Sequence, residues 1–221
     1  MHTADPRLVP DARPIPTMSF SDVADLGAFG SRVLHPAAMV PLRQERIPLR
    51  VRNTHEPSAA GTLVREAVDG GRAAIRAIAY RQGVALLTVR SQRLVPQHTF
   101  LSKVFRGLEE VGCEAGPIVV GEAAVTVAVE DAHVTEVVEA LGRSGDVEAV
   151  SGRAVVGLIG DVGLEGFGGI GGVLDVLGRA GISAAFSGVV TMGSAVALSV
   201  PADQLVATVA LLHAECDFGD R

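Results

Sequence analysis

The residues whose types and spacing could support chemistry fall into a few groups. "GFGGIG", residues 166–171, fits G-x-G-x-x-G. In that pattern glycines let a pyrophosphate approach the free amides at a helix start. The surroundings argue against a dinucleotide site: no acidic residue follows where a ribose would need one, and the next segments read as an antiparallel strand pair, not a parallel βαβ unit. The glycines read instead as a helix start closely approached by a neighbour, and Gly169, Gly171 and Gly172 weaken that helix. His98 precedes an amphipathic segment, where a proton exchanged near neutral pH could tune a bound ligand. A solvated loop histidine is the plainer reading. Cys113 and Cys216 share no Cys-x-x-Cys and have no histidine beside them, so reduced, buried thiols are expected, with no disulfide or zinc site. The 6 histidines are dispersed, which argues against a metal cluster. The carboxylates of "GLEEVG" and "EVVEALGR" read as solvated helix faces. No nucleophile–base pair points to an independent reaction centre.

Composition narrows the partners. Net charge is -6, aromatic residues make up 4% and Trp is absent. Arg43, Arg46, Arg50 and Arg52 cluster in sequence but are not interleaved with aromatics, so nucleic-acid binding has little support. No apolar run reaches the ~20 residues of a membrane helix, and the start lacks the basic and apolar regions of a secretory signal. No membrane association and a cytoplasmic location are the expectations. With 48% hydrophobic residues in 221, one large or two small cores can be filled.

Residues 1–66 hold most of the prolines and read as broken elements. One helix is expected from Ser21 to about Arg32, capped by Ser19 or Ser21, with Val23, Leu26 and Phe29 at helical spacing. A second is expected over 37–45. "IPLRVRN" reads as a strand and "AAGTLVRE" as an extended piece. Such elements are built to dock on something larger, and the opening "MHTADPR" reads as the middle of a fold. Residues 67–73 form a polar link.

The pattern then turns regular. Strands are expected at 74–81 and 84–91, a helix at 98–112 with Thr99 as its cap and Phe100, Leu101, Val104, Phe105 and Leu108 on one face, strands at 114–120 and 123–130, a helix at 132–144 and a strand at 146–152. The order repeats with a strand at 154–161, a helix at 167–181, strands at 183–190 and 194–201, and a helix at 202–216. Ala85 aligns with Ala154, Val89 with Leu158 and Gly112 with Gly181, each 69 apart; Val125 aligns with Val196, Val127 with Leu198 and Val129 with Val200, each 71 apart. Each copy is a βαββαβ series. The second lacks its last strand, and the unused strand 74–81 is expected to supply it. Copy one is then an insertion inside copy two.

"TADPR", "FG" before "VLHP", "IPLRV" and "GTLV" resemble, in order and spacing, the closing stretch of the aspartokinase catalytic domain. "LLTVRSQRLVPQHTFLSKVF" and "VVGLIGD" resemble the tandem ACT domains that follow it, closest to the lysine-sensitive type. The resemblance implies an α+β chain: a remnant of an α/β amino-acid-kinase domain (1–66), an ACT domain at 84–152, and a second at 74–81 plus 154–216. It implies ATP and Mg2+ for the complete kinase, which phosphorylates L-aspartate toward lysine, threonine and methionine. The Lys-Phe-Gly-Gly-Thr-Ser motif is absent, so no cofactor and no catalytic residue is expected in this chain, which is expected to be inactive alone.

Carried over position by position, the resemblance implies a nucleotide-binding remnant of Arg7, of Arg32 and Val33 in place of a Lys-Val pair, and of His2 where an aromatic usually stands. It also implies an effector site for an amino acid of the lysine or threonine class: Leu94, Gln97, Phe100 and Leu101 at a helix start, and Ala115, Gly116, Gly121 and Glu122 across a domain junction. Gly116 replaces an aspartate that receives the effector amine, while Gln97 and Gly121 replace serines. Glu114 could substitute only by turning inward. An unmatched ammonium costs about 1–3 kcal/mol or more, so weak lysine sensing, a different ligand or lost sensing is expected. A homodimer through the ACT domains is implied. A separate catalytic chain or a longer reading frame would complete the kinase, and a stand-alone ACT-type binding or assembly module is the alternative.

Overall fold

The computed structural model describes residues 1–31, 33–34, 36–66, 75–91, 95–160, 169–190, 195–216 and 218. Its first part carries β1 (Thr17–Ser19), α1 (Phe20–Ala28), α2 (Pro36–Gln44), β2 (Leu49–Val51) and β3 (Thr62–Arg65). β3 is central in a small sheet, parallel to β1 and antiparallel to β2. Ser19 caps α1 in a capping box: its Oγ accepts from the Asp22 N–H and Asp22 Oδ2 accepts from the Ser19 N–H, both at 3.0 Å. Asp22 is buried, and Arg76 stands 3.4 Å from its carboxylate.

The second part is β4 (Ala77–Arg90), α3 (Gln97–Val111), β5 (Ile118–Val120), β6 (Ala124–Glu130), α4 (Val134–Gly142), β7 (Asp146–Ile159), α5 (Gly169–Arg179), β8 (Ala185–Val190), β9 (Ala195–Pro201) and α6 (Leu205–Glu215). Short 3-10 turns lead into α4 and α6. All six strands form one sheet in the order β5-β6-β4-β7-β9-β8. The strand expected to cross over does so: Ala77–Arg81 pairs with Val155–Ile159, and the Arg76 N–H donates to Ile159 O at 2.7 Å. Each half therefore has its strands in the spatial order second, third, first, fourth.

The two expected strand pairs, 74–81 with 84–91 and 146–152 with 154–161, are each a single 14-residue strand. Gly83 (φ 65°) and Gly152 (φ 69°) flank the Val84–Arg153 pair, where the register shifts. Glycine takes this left-handed backbone cheaply, so each strand bulges and changes partner without ending.

The sequence repeat maps onto equivalent places. Gly112 and Gly181 take φ 68° and 70° just beyond α3 and α5, and all five aligned strand pairs are buried. α3 and α4 cover Ala85, Leu87, Val89, Val125, Val127 and Val129; α5 and α6 cover Ala154, Val156, Leu158, Val196, Leu198 and Val200. The opposite face of the sheet centre is covered by the first part. There Phe20, Val23, Leu26 and Phe29 of the α1 region meet small residues, Ala77, Ala79, Ala195 and Ala197.

Several local expectations are corrected. Pro96, not Thr99, is the N-cap of α3, with no side-chain cap hydrogen bond, because the helix begins one residue earlier and Thr99 falls within its first turn. Phe105 is exposed, since the sheet takes only the stripe of Phe100, Val104 and Leu108. His98 is exposed as expected but lies in the helix, not a loop. Both cysteines are free and half-buried, not fully buried. The strand expected at 114–120 is regular only over Ile118–Val120, although Gly116 and Pro117 still bond to Ala128 of β6. Of "GFGGIG", residues 166–168 lie outside the described residues, as does the link 67–73; Gly169 opens α5.

Candidate functional site

The "TADPR" turn builds one side of a cleft. The Arg7 N–H donates to Asp5 Oδ1 at 2.9 Å, and the Leu8 and Val9 N–H groups donate to Asp5 O at 2.9 and 3.0 Å. This Asx-type turn folds the Arg7 side chain back along the Asp5 carboxylate. Its Nε lies 3.0 and 3.1 Å from the two carboxylate oxygens and its Nη2 2.7 Å from Oδ2. The guanidinium holds the Asp5 carboxyl at about 2, well below 3.8. Charge-assisted bonds to the ionised form dominate over burial here.

Three contacts from the second part hold this turn. The Ile78 N–H donates to Thr3 O at 2.7 Å, the Tyr80 hydroxyl donates to Asp5 Oδ2 at 2.9 Å, and His213 Nε2 of α6 lies 2.8 Å from Thr3 Oγ1. The Thr3 hydroxyl oxygen also accepts from the Arg13 N–H at 2.9 Å. Phe218 stacks against the His213 ring with centroids 4.6 Å apart. Burial, reinforced by Arg13 and opposed by Asp11, keeps His213 below its ordinary 6.5.

A cavity of about 480 Å³ opens beside the turn, lined among others by His2, Asp5, Arg7, Leu26, Val33 and Tyr80. The structure thus brings together three of the four residues assigned to a nucleotide remnant, His2, Arg7 and Val33. Arg32 lies outside the described residues. Nε and Nη2 of Arg7 face Asp5, and its side chain is 84% exposed at the cleft. The cleft can hold a phosphate-like group. Among the described residues no three His, Cys, Asp or Glu side chains gather as metal ligands. Sequence reasoning missed Asp5 and Tyr80. The available signal was that Tyr80 is the chain's only tyrosine, set in an otherwise apolar strand segment.

These shifts set an acid profile. His213 is held neutral by the fold, so the unfolded chain takes up its proton first, and stability falls as pH drops below 6.5. Asp5 is held ionised, so its contribution is complete above 3.8 and is lost as pH falls toward 2. Urea midpoints measured in pH steps are expected to show both declines. His213→Gln lessens the first, with the remainder from His2, which burial and the N-terminal ammonium also hold below 6.5, and Asp5→Asn removes the second.

The expected effector residues separate into two places. Gln97 opens α3 and its Nε2 donates to Gly121 O at 3.0 Å, so the helix start and the β5–β6 turn meet; Glu122 is exposed beside them. Phe100 is buried in the core, and Leu101 is half-buried against it. Leu94 lies outside the described residues. Ala115 and Gly116 lie at the other end of the hairpin, where the Gly116 N–H donates to Ala128 O at 2.7 Å; the Gly121 N–H donates to Ala124 O at 2.8 Å. The anchors Ala124 and Ala128 are four positions apart on β6, roughly 14 Å at strand rise. Within one chain the two groups do not converge.

Comparison with known proteins places the class first: residues 1–53 match the model of the Amino acid kinase family. The chain is, more particularly, an aspartokinase homologue. It is 31% identical over 170 residues to the chloroplastic aspartokinase 3 of Arabidopsis thaliana, covering 72% of this chain and 30% of that protein. It is 31% identical to the lysine-sensitive aspartokinase 3 of Escherichia coli, covering 73% of this chain and 38% of that protein. The crystal structure of E. coli aspartokinase III in complex with aspartate and ADP superposes with a TM-score of 0.82 at 27% identity, over 97% of this chain and 49% of that one. The chain thus spans roughly a third of these curated relatives and half of the solved chain. No helix among the described residues is long and apolar enough to cross a membrane.

Proposed function

We propose that the chain is the regulatory part of an aspartokinase, joined to the closing elements of its catalytic domain. Residues 84–152 act as one ferredoxin-like ACT unit, inserted into a second made of 74–81 and 154–216. The observation that carries this reading is the crossed pairing of Ala77–Arg81 with Val155–Ile159. It gives each half the four-strand order of that unit and ties the sensor to the remnant through Ile78 and Tyr80.

In this reading the cleft at Arg7 is part of the nucleotide site of the complete enzyme, which phosphorylates L-aspartate with ATP. The remnant has a guanidinium for phosphate but lacks the clustered charge and positioning groups that phosphoryl transfer needs. Catalysis belongs to the complete kinase, whether supplied in the same polypeptide or by a partner chain. The effector is an amino acid of the lysine or threonine class, held by Gln97 and its neighbours. The roughly 14 Å between that group and Gly116 supports a site completed across a homodimer, with Ala115 and Gly116 given by the second copy. By linkage, effector and nucleotide then change one another's affinity equally.

Calorimetry with lysine and threonine tests this. Lysine is expected to bind weakly, because Gly116 offers no anion to its amine. Gly116→Asp is expected to tighten lysine at least tenfold. The new Cβ would meet Ala128 Cβ at 3.2 Å and Ala128 O at 3.3 Å, so the hairpin must give slightly. An absence of heat for both amino acids, in the wild type and in the variant, would refute the sensing reading. The missing acid at 116 also favours a second reading, a stand-alone ACT-type assembly module without sensing, and that result would support it.

A further inference from the structure

Arg7 is a cation of the cleft, and its closest partner is Asp5, two residues away in the same turn. The Tyr80 hydroxyl meets both members of this pair, so what fixes Arg7 is Asp5 together with Tyr80. The Asp5 carboxylate takes four contacts from Arg7 itself and one from outside the turn, the Tyr80 hydroxyl at 2.9 Å from Oδ2. Tyr80 is itself well anchored. Its backbone pairs with Val156 in the sheet, and its ring packs against the core under α5 and α6.

We propose that Tyr80 is a positioning residue for the anion-binding Arg7. Its hydroxyl sets the Asp5 carboxylate, and the carboxylate sets the Nε–Nη2 edge of a guanidinium that lines the cleft. The inference rests on the reading of that cleft as a nucleotide site and adds its positioning device. The device sits on the sensor's own strand. Beyond Tyr80, β4 passes the Gly83 bulge and runs on to Arg90, shortly before α3 and Gln97. A shift of β4 at the bulge would move the phenol and, through one carboxylate, the cation.

The test compares the chain with Tyr80→Phe, which keeps the ring and its packing and removes one donor. Two readouts are taken: the Arg7 Nε–H resonance by nitrogen-edited NMR, and ADP affinity by titration at pH 8. In the wild type the Nε–H signal is expected to be sharp and protected. In Tyr80→Phe the signal is expected to broaden or exchange away, and ADP to bind about tenfold more weakly. Melting temperature is expected to stay within a few degrees. Asp5→Asn, a second route to the same loss, is expected to give the same Arg7 signal even if Tyr80→Phe folds poorly. An unchanged Nε–H signal in folded Tyr80→Phe overturns the positioning role, whatever Asp5→Asn shows. A wild type that binds no ADP overturns the nucleotide reading instead, and the Nε–H comparison then decides the role of Tyr80 by itself.

Discussion

Gly157→Ala is expected to lower the melting temperature by about 6–12 °C, and to do so by prising the kinase-like part off the sheet. The Phe29 ring lies flat on Gly157. A Cβ built there would stand 2.4 Å from the ring carbons Cγ and Cδ2 and 2.7 Å from Cδ1. No rotamer adjustment of a methyl group relieves this, so the ring must leave. Phe29 is buried and anchors the end of α1 against β7. Overpacking of this kind costs about 3 kcal/mol, and each kcal/mol is worth roughly 2–4 °C in a chain of this size. Differential scanning calorimetry measures the loss, and a double-mutant cycle with Phe29→Ala assigns it. Phe29→Ala alone leaves a cavity costing about 3–5 kcal/mol. If the clash is the cause, the double variant loses clearly less than the sum. Additive losses would mean that Gly157 matters for some reason other than the ring.

The second large effect concerns where the chain can be cut. A truncated chain beginning at Val84 keeps every strand of the first half and all helices of both halves. It is nevertheless expected to show no cooperative thermal transition in its C-terminal half. Without Ala77–Arg81, the Val155–Ile159 stretch of β7 loses its partner on one side, and Ile78 leaves the core under α5 and α6. A chain beginning at Ile75 keeps that strand and is expected to fold. The face it uncovers carries Ala77, Ala79, Ala195 and Ala197 with Val84, Val155 and Ile159 among them, an apolar loss that leaves the strand pairing itself intact. Amide exchange separates the outcomes. Protection of Val155–Ile159 in the Val84 chain equal to that in the full chain would show that the crossed pairing is dispensable.

The strand–helix order and the 69- and 71-residue repeats were legible in the sequence because apolar alternation and the glycines beyond α3 and α5 are local signals. The orphan at 74–81 also identified the crossed strand, by simple accounting of elements. The fusion of two strand pairs into two long strands was not legible. A glycine in a strand reads as a break, and only the pairing on both sides makes Gly83 and Gly152 bulges. The gathering of His2, Arg7 and Val33 followed from resemblance. Asp5 and Tyr80 stayed hidden because their contact spans 75 residues and no spacing rule reaches that far. The dispersal of the effector residues was equally invisible, since it depends on hairpin length in space.

The shared long strands also govern how the chain must come into being. Ala77 finds its partner Ile159 only after 82 further residues have been made, and β9 lies later still. During synthesis the first-made end of β4 waits, apolar and unpaired, while the intervening half assembles. Non-local pairing of this kind is slow and exposes edges to other chains. Recombinant yield is therefore expected to depend on growth temperature and chaperone supply more steeply than the native protein's heat resistance would suggest.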